Sequence, residues 1–121
     1  MKIYRFVARN SRQRKMHGIF RGLDFEAAHI PDGEYEEVMA PINSALHCPT
    51  HNEIHQKNIE FWFTETGYQK FRVQIHKLLE LYQKYAPNYI KEWDVLEQEI
   101  ELMDPNIKYK DVYQIALRAS S

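Results

Sequence analysis

The chain has 121 residues, of which 44% are hydrophobic and 27% are charged, a composition typical of a folded globular protein. This length predicts a single domain over residues 1–121, and no apolar run reaches the roughly 20 residues that a membrane-spanning helix needs. The only cysteine cannot form an internal disulfide, which favours a reducing, cytoplasmic location.

Charge is distributed unevenly along the chain, although the net charge is only −1. Residues 1–22 contain seven lysines and arginines and no acidic residue, whereas residues 23–37 contain six acidic residues and no lysine or arginine. Such blocks indicate a face that meets a charged partner, or two segments that lie together and neutralise each other. The sequence leaves both alternatives open.

The first predicted elements form a hairpin. Residues 2–8 alternate apolar and polar side chains and are rich in β-formers, which predicts a strand, and residues 9–15 predict a polar turn. Residues 16–23 predict a second short strand that pairs with the first. Residues 31–33, PDG, predict a turn, and residues 34–42 predict a third strand that a proline ends, or one helical turn.

The middle of the chain contains the longest predicted element. A capping-box pattern predicts a short helix near residues 50–57, and the aromatic run at residues 59–63 predicts a buried strand. Thr64 then caps a helix over about 64–86, because apolar side chains recur there at three- and four-residue spacing. Pro87 ends this helix.

Residues 90–102 fit either an amphipathic helix or a strand, and the strand is preferred because glutamates at every second position would line its wet face. A turn at residues 104–106 and a closing strand at residues 109–117 follow. Together these elements predict an α+β fold, in which an antiparallel sheet packs on one long amphipathic helix.

The stretch HCPTHNEIH, residues 47–55, contains three histidines and the only cysteine. Cys48, His51 and His55 have a spacing that suits a zinc site, which a further ligand would have to complete. The capping-box pattern in the same stretch explains it as a helix start that needs none of the histidines. We therefore expect no cofactor, with a zinc-stabilised module as the alternative.

Basic and aromatic side chains are the strongest candidates for binding. Cations interleaved with aromatic residues suit phosphate contact with stacking, and three of the arginines suit the capture of a nucleotide. The same residues suit a charged protein partner, with exposed aromatics as anchors, unless those aromatics belong to the core. The candidate set comprises the basic residues Arg5, Arg9, Arg12, Arg14, Lys15 and Arg21 and the aromatic residues Tyr4, Phe20 and Trp93.

An E-x-E pattern occurs at Glu97 and Glu99. It is similar to the acidic pair of ADP-ribosyltransferases, in which an arginine on an early strand holds the dinucleotide, and the resemblance implies Arg5 in that role. The Ser-Thr-Ser element of that family has no counterpart in this sequence. The alternative is a solvated strand or helix face.

IEFWFTETGYQKF, residues 59–71, resembles a segment of small phage and mobile-element proteins in which an aromatic strand is followed by F-T-E-x-G at the start of a long helix. YKDVYQIAL, residues 109–117, resembles their closing strand. The resemblance implies a phage origin, and hence the host cytoplasm as the location. It also implies an anti-defence role of the kind that anti-CRISPR inhibitors have.

From these observations we expect a non-enzymatic protein that inhibits or modulates a host protein or nucleoprotein complex. A sheet with an exposed edge makes a homodimer a further expectation. The alternatives are a protein that binds or sequesters a nucleotide or cyclic nucleotide, an ADP-ribosyltransferase-like enzyme, and the zinc-stabilised module.

Overall fold

A computed structural model describes residues 1–48 and 58–119. The fold is α+β, as predicted, with one long helix packed on a curled antiparallel sheet. The strands are β1 Lys2–Asn10, β2 His17–Gly18, β3 Ile59–Thr64, β4 Ile90–Glu99, β5 Ile107–Lys110 and β6 Gln114–Arg118. The helices are α1 Ile19–Leu23, α2 Phe25–Ala28, α3 Asp32–Ala45 and α4 Glu65–Tyr85.

Within these ranges, no helix is long and apolar enough to cross a bilayer.

β1 is the central strand of the sheet. One of its edges pairs with β4 along residues 2–10, whereas its other edge is shared between β3, at residues 3–4, and β2, at residues 7–8. On the amino-terminal side of Phe63, β3 diverges from β1 and pairs only with β6, which in turn pairs with β5. We call the opening between the diverging strands β1 and β3 the fork.

Two apolar clusters lie on the two faces of the sheet. Phe6 and Phe63 belong to the larger cluster, which α4 completes with side chains such as Phe71. Ile3 and Trp62 belong to the smaller cluster. Adjacent residues of a strand point to opposite faces, so the neighbours Trp62 and Phe63 stabilise different clusters. Burial of each large side chain contributes about 1.5–3 kcal/mol relative to exposure.

The junction between β3 and α4 confirms the predicted helix start. The Thr64 Oγ1 accepts a hydrogen bond from the Gly67 backbone N–H at 3.1 Å and donates one to the Val112 carbonyl at 2.6 Å. A Cβ atom on Gly67 would lie 1.9 Å from the Tyr113 carbonyl oxygen. The first turn of α4 therefore packs directly on backbone, and only glycine fits there.

The strand predicted over residues 16–23 is wrong beyond Gly18. Only His17 and Gly18 pair with β1, and α1 begins at Ile19. Ile19, Gly22 and Leu23 are all buried, which is the i, i+3, i+4 spacing of one helix face, whereas a half-buried strand would bury only alternate residues. The predicted hairpin pairing itself is confirmed.

The turn predicted at residues 31–33 and the strand or single helical turn predicted at residues 34–42 are also wrong. These residues form α3, a helix of 14 residues that contains Pro41 in its interior. Met39 and Ile42 are three residues apart and both buried. The acidic side chains in the first turn interact favourably with the positive end of the helix dipole. The short helix predicted near residues 50–57 lies outside the described residues.

Near the C-terminus, the preferred strand interpretation of residues 90–102 is confirmed by β4. The closing strand predicted at residues 109–117 is instead two strands, β5 and β6, joined by a turn. Asp111 builds this turn, because its carboxylate accepts the backbone N–H groups of Tyr113 at 2.8 Å and Gln114 at 2.9 Å. The predicted strand at residues 59–63 is present as β3, although Phe61 is 45% exposed rather than buried.

Candidate functional site

A cavity of about 560 Å³ opens at the fork, and we call it the fork pocket. Its described walls come from β1, β2, α1, α3, β3, the segment after α3 and the start of β6. The cavity exists because β2 fills only part of the space between the diverging strands β1 and β3. Its volume lies within the range of roughly 300–1,000 Å³ that is typical of small-molecule sites.

Arg5 lies between the two segments of β1 that pair with β3 and β2, so its side chain is placed at the base of the fork. The side chain is only 20% exposed, and its Nη1 lies 3.8 Å from the Glu60 Oε2. Its Nε is buried and has no hydrogen-bond partner in the described part of the chain. The same Glu60 oxygen accepts from the Trp62 Nε1 at 3.3 Å. Arg5 is therefore held by a long ion pair that leaves donors of its guanidinium unused.

The neighbour of Arg5 on β2 is a glycine, and this leaves space for the guanidinium. A Cβ atom on Gly18 would lie 3.3 Å from the Arg5 Nη2. Any side chain at position 18 would press on the arginine and move it.

His17 lines the fork pocket and interacts electrostatically with nearby cations. Burial lowers the pKa of His17 below its ordinary value, and the positive charges of Arg21, Lys15 and Arg5 lower it further. His17 and Arg21 both line the cavity together with Arg5. The described lining residues include no aspartate or glutamate. Among the described lining residues, the charged side chains are Arg5, which Glu60 partly neutralises, and Arg21, a balance that favours an anion.

Two exposed aromatic rings also line the fork pocket. Phe20 on α1 is 43% exposed and Phe61 on β3 is 45% exposed. Large exposed apolar side chains inside a cationic cavity are suited to the flat face of an aromatic ligand.

Of the predicted basic residues, Arg5 and Arg21 line the pocket and Arg9 does not. The Arg9 Nε donates to the Glu92 Oε1 at 2.8 Å, and its Nη1 donates to the Gln13 carbonyl at 2.8 Å. Arg9 therefore joins β1 to β4 and to the hairpin loop, and its role is structural.

The remaining predicted cations lie on the hairpin loop between β1 and β2. Asn10 and Gln13 hold this loop, because the Asn10 Nδ2 donates to the Gly22 carbonyl at 2.8 Å and the Gln13 Nε2 donates to the Arg21 carbonyl at 3.2 Å. The side chains of Arg12, Arg14 and Lys15 are exposed, and within residues 1–48 and 58–119 they form no ion pair with the acidic segment 23–37. We call these three residues the basic loop: Arg12, Arg14 and Lys15.

The three predicted aromatic anchors lie in three different places. Tyr4 is half-buried and stacks on Tyr68 of α4, with ring centroids 4.3 Å apart, so it stabilises the fold. Phe20 lies at the fork pocket, whereas Trp93 is 43% exposed on β4 and packs edge-on against His76.

Glu97 and Glu99 do not form a joint site with Arg5. In the register of β1 and β4, Arg5 lies opposite Leu96, whereas Tyr4 lies opposite Glu97. Because opposed residues share a face and neighbours alternate, Arg5 and Glu97 point to opposite faces of the sheet. Glu99 lies on the face of Glu97 and pairs with the N-terminal ammonium group at 3.3 Å.

The histidine and cysteine stretch is described only in part. Cys48 is exposed and borders the fork pocket, and His47 accepts a hydrogen bond from the Gln114 Nε2 through its carbonyl. His51 and His55 lie outside the described residues. Among the residues that are described, no group of three metal-ligating side chains occurs.

Sequence reasoning missed Glu60, Phe61 and His17 as residues of the site. A signal was present in the run at residues 59–63, because adjacent aromatic residues in one strand must point to opposite faces. That signal indicates a second apolar surface, but it does not indicate where the surface lies.

No family model, curated protein or solved structure matches the chain. The resemblance to phage and mobile-element proteins therefore stays a prediction.

Proposed function

We propose that this protein binds a small phosphorylated ligand of the nucleotide class in the fork pocket. The observation that carries the proposal is Arg5, a largely buried guanidinium that lines the cavity and whose pair with Glu60, at 3.8 Å, is longer than a hydrogen bond. The Nη groups of Arg5 are therefore left to donate to a ligand oxygen, and a hydrogen bond to a charged group contributes about 1.5–3 kcal/mol.

Phosphate recognition depends on the two pocket arginines. Arg5 and Arg21 both line the cavity, and guanidinium groups bind phosphate oxygens through paired, charge-assisted hydrogen bonds. Glu60 is not among the described lining residues, but its ion pair with Arg5 positions the arginine before the ligand binds.

The apolar part of the cavity supports a ligand larger than a phosphate ion. Inorganic phosphate would leave most of about 560 Å³ unfilled. A nucleobase between or beside Phe20 and Phe61 would cover exposed aromatic surface, and base–aromatic stacking contributes about 1–3 kcal/mol per base. A protein of this kind acts by binding and sequestering its ligand, without chemistry on it.

The test is calorimetric titration and thermal unfolding with mononucleotides, cyclic nucleotides and inorganic phosphate. A nucleotide at about 100 times its Kd should stabilise the protein by about 2.7 kcal/mol, and phosphate alone should have a much smaller effect. Arg21→Gln should weaken nucleotide binding, whereas Arg12→Gln, which removes the same charge from the basic loop, should leave it unchanged. Absence of binding by every nucleotide would refute the proposal.

A second candidate function is inhibition of a host protein or nucleoprotein complex through the basic loop. The observation that favours it is a cluster of three exposed cations on a loop that Asn10 and Gln13 hold in one conformation. Unneutralised charge of this kind accelerates the encounter with an acidic partner surface.

This second function predicts a partner that is captured from host extract at low salt and lost as ionic strength rises. Replacement of the basic loop residues by Gln should abolish capture and leave the melting temperature unchanged. The matched control replaces three exposed cations elsewhere, namely Arg72, Lys77 and Lys110, and should still capture the partner. Equal loss in both variants would show that only net charge matters.

A further inference from the structure

β4 has one edge that is not used within the described chain. Its other edge pairs with β1, whereas no described strand pairs with the outer edge. β4 is ten residues long and largely exposed, with Trp93 43% and Leu96 39% exposed. A long strand edge with exposed apolar side chains is a template for another strand.

The hydrogen-bond pattern determines which groups of β4 point outward. Met1 and Ile100 exchange two backbone bonds, so they form a hydrogen-bonded pair next to the first pair of the β1–β4 ladder. Hydrogen-bonded and non-hydrogen-bonded pairs alternate along an antiparallel ladder, so Phe6 and Val95 form a non-hydrogen-bonded pair. The N–H and C=O groups of Val95 therefore point away from β1. The Val95 N–H donates to the Asp94 Oδ1 at 2.8 Å, a bond exposed to solvent, which agrees with this assignment.

We propose that β4 pairs antiparallel with β4 of a second copy of this chain, around a two-fold axis at Val95. In this register Val95 opposes its own copy, Trp93 opposes Glu97 and Lys91 opposes Glu99. On the other face Glu92 opposes Gln98 and Asp94 opposes Leu96. The register places no like charges opposite each other and forms two Lys91–Glu99 pairs between the copies.

Charge selects this register over its neighbours. A two-fold axis at Asp94 would place that carboxylate opposite its own copy, which is unfavourable. An axis at Leu96 would shorten the paired segment and leave Lys91 outside it. Within one chain Glu92 pairs with Arg9, and Glu99 pairs with the N-terminal ammonium group at 3.3 Å in an exposed position, so Glu99 would share its carboxylate between that group and Lys91 of the second copy. Lys91 has no ion pair in the described part of the chain.

The proposed dimer is independent of the fork pocket, because the pocket lies on the other edge of β1. The two sheets would become one continuous sheet, with α4 of both copies on the same face. In the dimer the Val95 N–H would donate to a backbone carbonyl of the second copy instead of to the Asp94 carboxylate, which would turn to solvent. Asp94→Ala should therefore tighten the dimer.

The decisive experiment is a charge swap followed by sedimentation velocity. The wild type should dimerise with rising concentration, whereas Lys91→Glu and Glu99→Lys should each weaken the dimer by roughly tenfold. An equimolar mixture of the two variants should recover it, because every 91–99 pair then joins opposite charges. A mixture that stays monomeric overturns the proposed register.

A second variant tests whether the backbone edge is used. Val95→Pro removes an N–H that bonds only to the Asp94 side chain, so the fold should survive, as measured by circular dichroism, and the dimer should be lost. A dimer that persists in this variant uses another surface and overturns the proposal. A monomeric wild type also overturns it. If such a monomer bound a host protein through this edge, the edge would belong to that partner.

Discussion

At its carboxyl end β3 pairs with β1 and continues into α4 through a closely packed junction, whereas at its amino end it leaves β1 and borders the fork pocket. Thr64 and Gly67 contact backbone atoms of the 112–113 turn at the packed end. At the open end Phe61 is exposed and Glu60 holds Arg5 at 3.8 Å. One strand of six residues therefore stabilises the fold at one end and leaves space for a ligand at the other.

The largest expected effect is at the packed end. Gly67→Ala should destabilise the protein by about 3 kcal/mol, because the new Cβ would lie 1.9 Å from a carbonyl oxygen that cannot move independently. Urea unfolding measures this change. The matched control is Gly33→Ala in the exposed first turn of α3, where no described atom lies within 4 Å of the new Cβ. This control should stabilise the protein by about 0.4–1 kcal/mol, and equal destabilisation of both variants would contradict the packing argument.

Arg5 and Arg9 lie four residues apart on the same strand, and only Arg5 lines the fork pocket. Arg5→Gln should lower nucleotide affinity by about 10–100-fold, the effect of losing a charge-assisted hydrogen bond of about 1.5–3 kcal/mol. Arg9→Gln breaks the 2.8 Å pair with Glu92 and should reduce stability by about 0.2–1 kcal/mol while leaving affinity unchanged. Titration calorimetry and urea unfolding of both variants separate the two effects. If Arg9→Gln lowered the affinity as much, the assignment of Arg9 to structure would be wrong.

The packed end was accessible from sequence and the open end was not. Thr64 and the apolar spacing that follows it are local signals, and they correctly predicted where α4 begins and ends within a residue. The fork depends on which strands pair, and the paired residues of β1 and β3 lie about 60 residues apart in the sequence. No local pattern places Phe61 and Arg21 at the same cavity.

The errors in the N-terminal half have the same origin. Pro41 and the PDG stretch are local turn signals, but burial of Met39 and Ile42 favours a helix across them. Arg5 and Arg21 were predicted as binding residues from charge alone, and both line the pocket. Arg9 was predicted on the same grounds, yet its acidic partner lies on β4, a strand that sequence reasoning could not align with β1.

The pH dependence of the open end should be carried by His17. Its folded-state pKa lies below the ordinary value, so its neutral form stabilises the fold above the unfolded pKa of about 6.5. That contribution is lost as the pH falls from the unfolded pKa to the folded one. A bound phosphate should raise the pKa of His17, so nucleotide should bind more tightly at lower pH. An NMR titration of His17 with and without nucleotide measures both effects, and an unchanged pKa on binding would place the phosphate elsewhere.

A glycine-to-alanine substitution at the fork should change stability least, in contrast to Gly67→Ala at the packed end of β3. Gly18→Ala also introduces a crowded Cβ, but its neighbour at 3.3 Å is the end of the Arg5 side chain rather than a backbone carbonyl. The backbone of Gly18 has φ −52° and ψ 146°, which alanine adopts without strain. Stability should therefore change by less than about 0.5 kcal/mol, whereas nucleotide affinity should fall severalfold because the guanidinium is displaced. A large loss of stability would show that the fork is packed as rigidly as the Thr64–Gly67 junction, and the contrast between the two ends of β3 would fail.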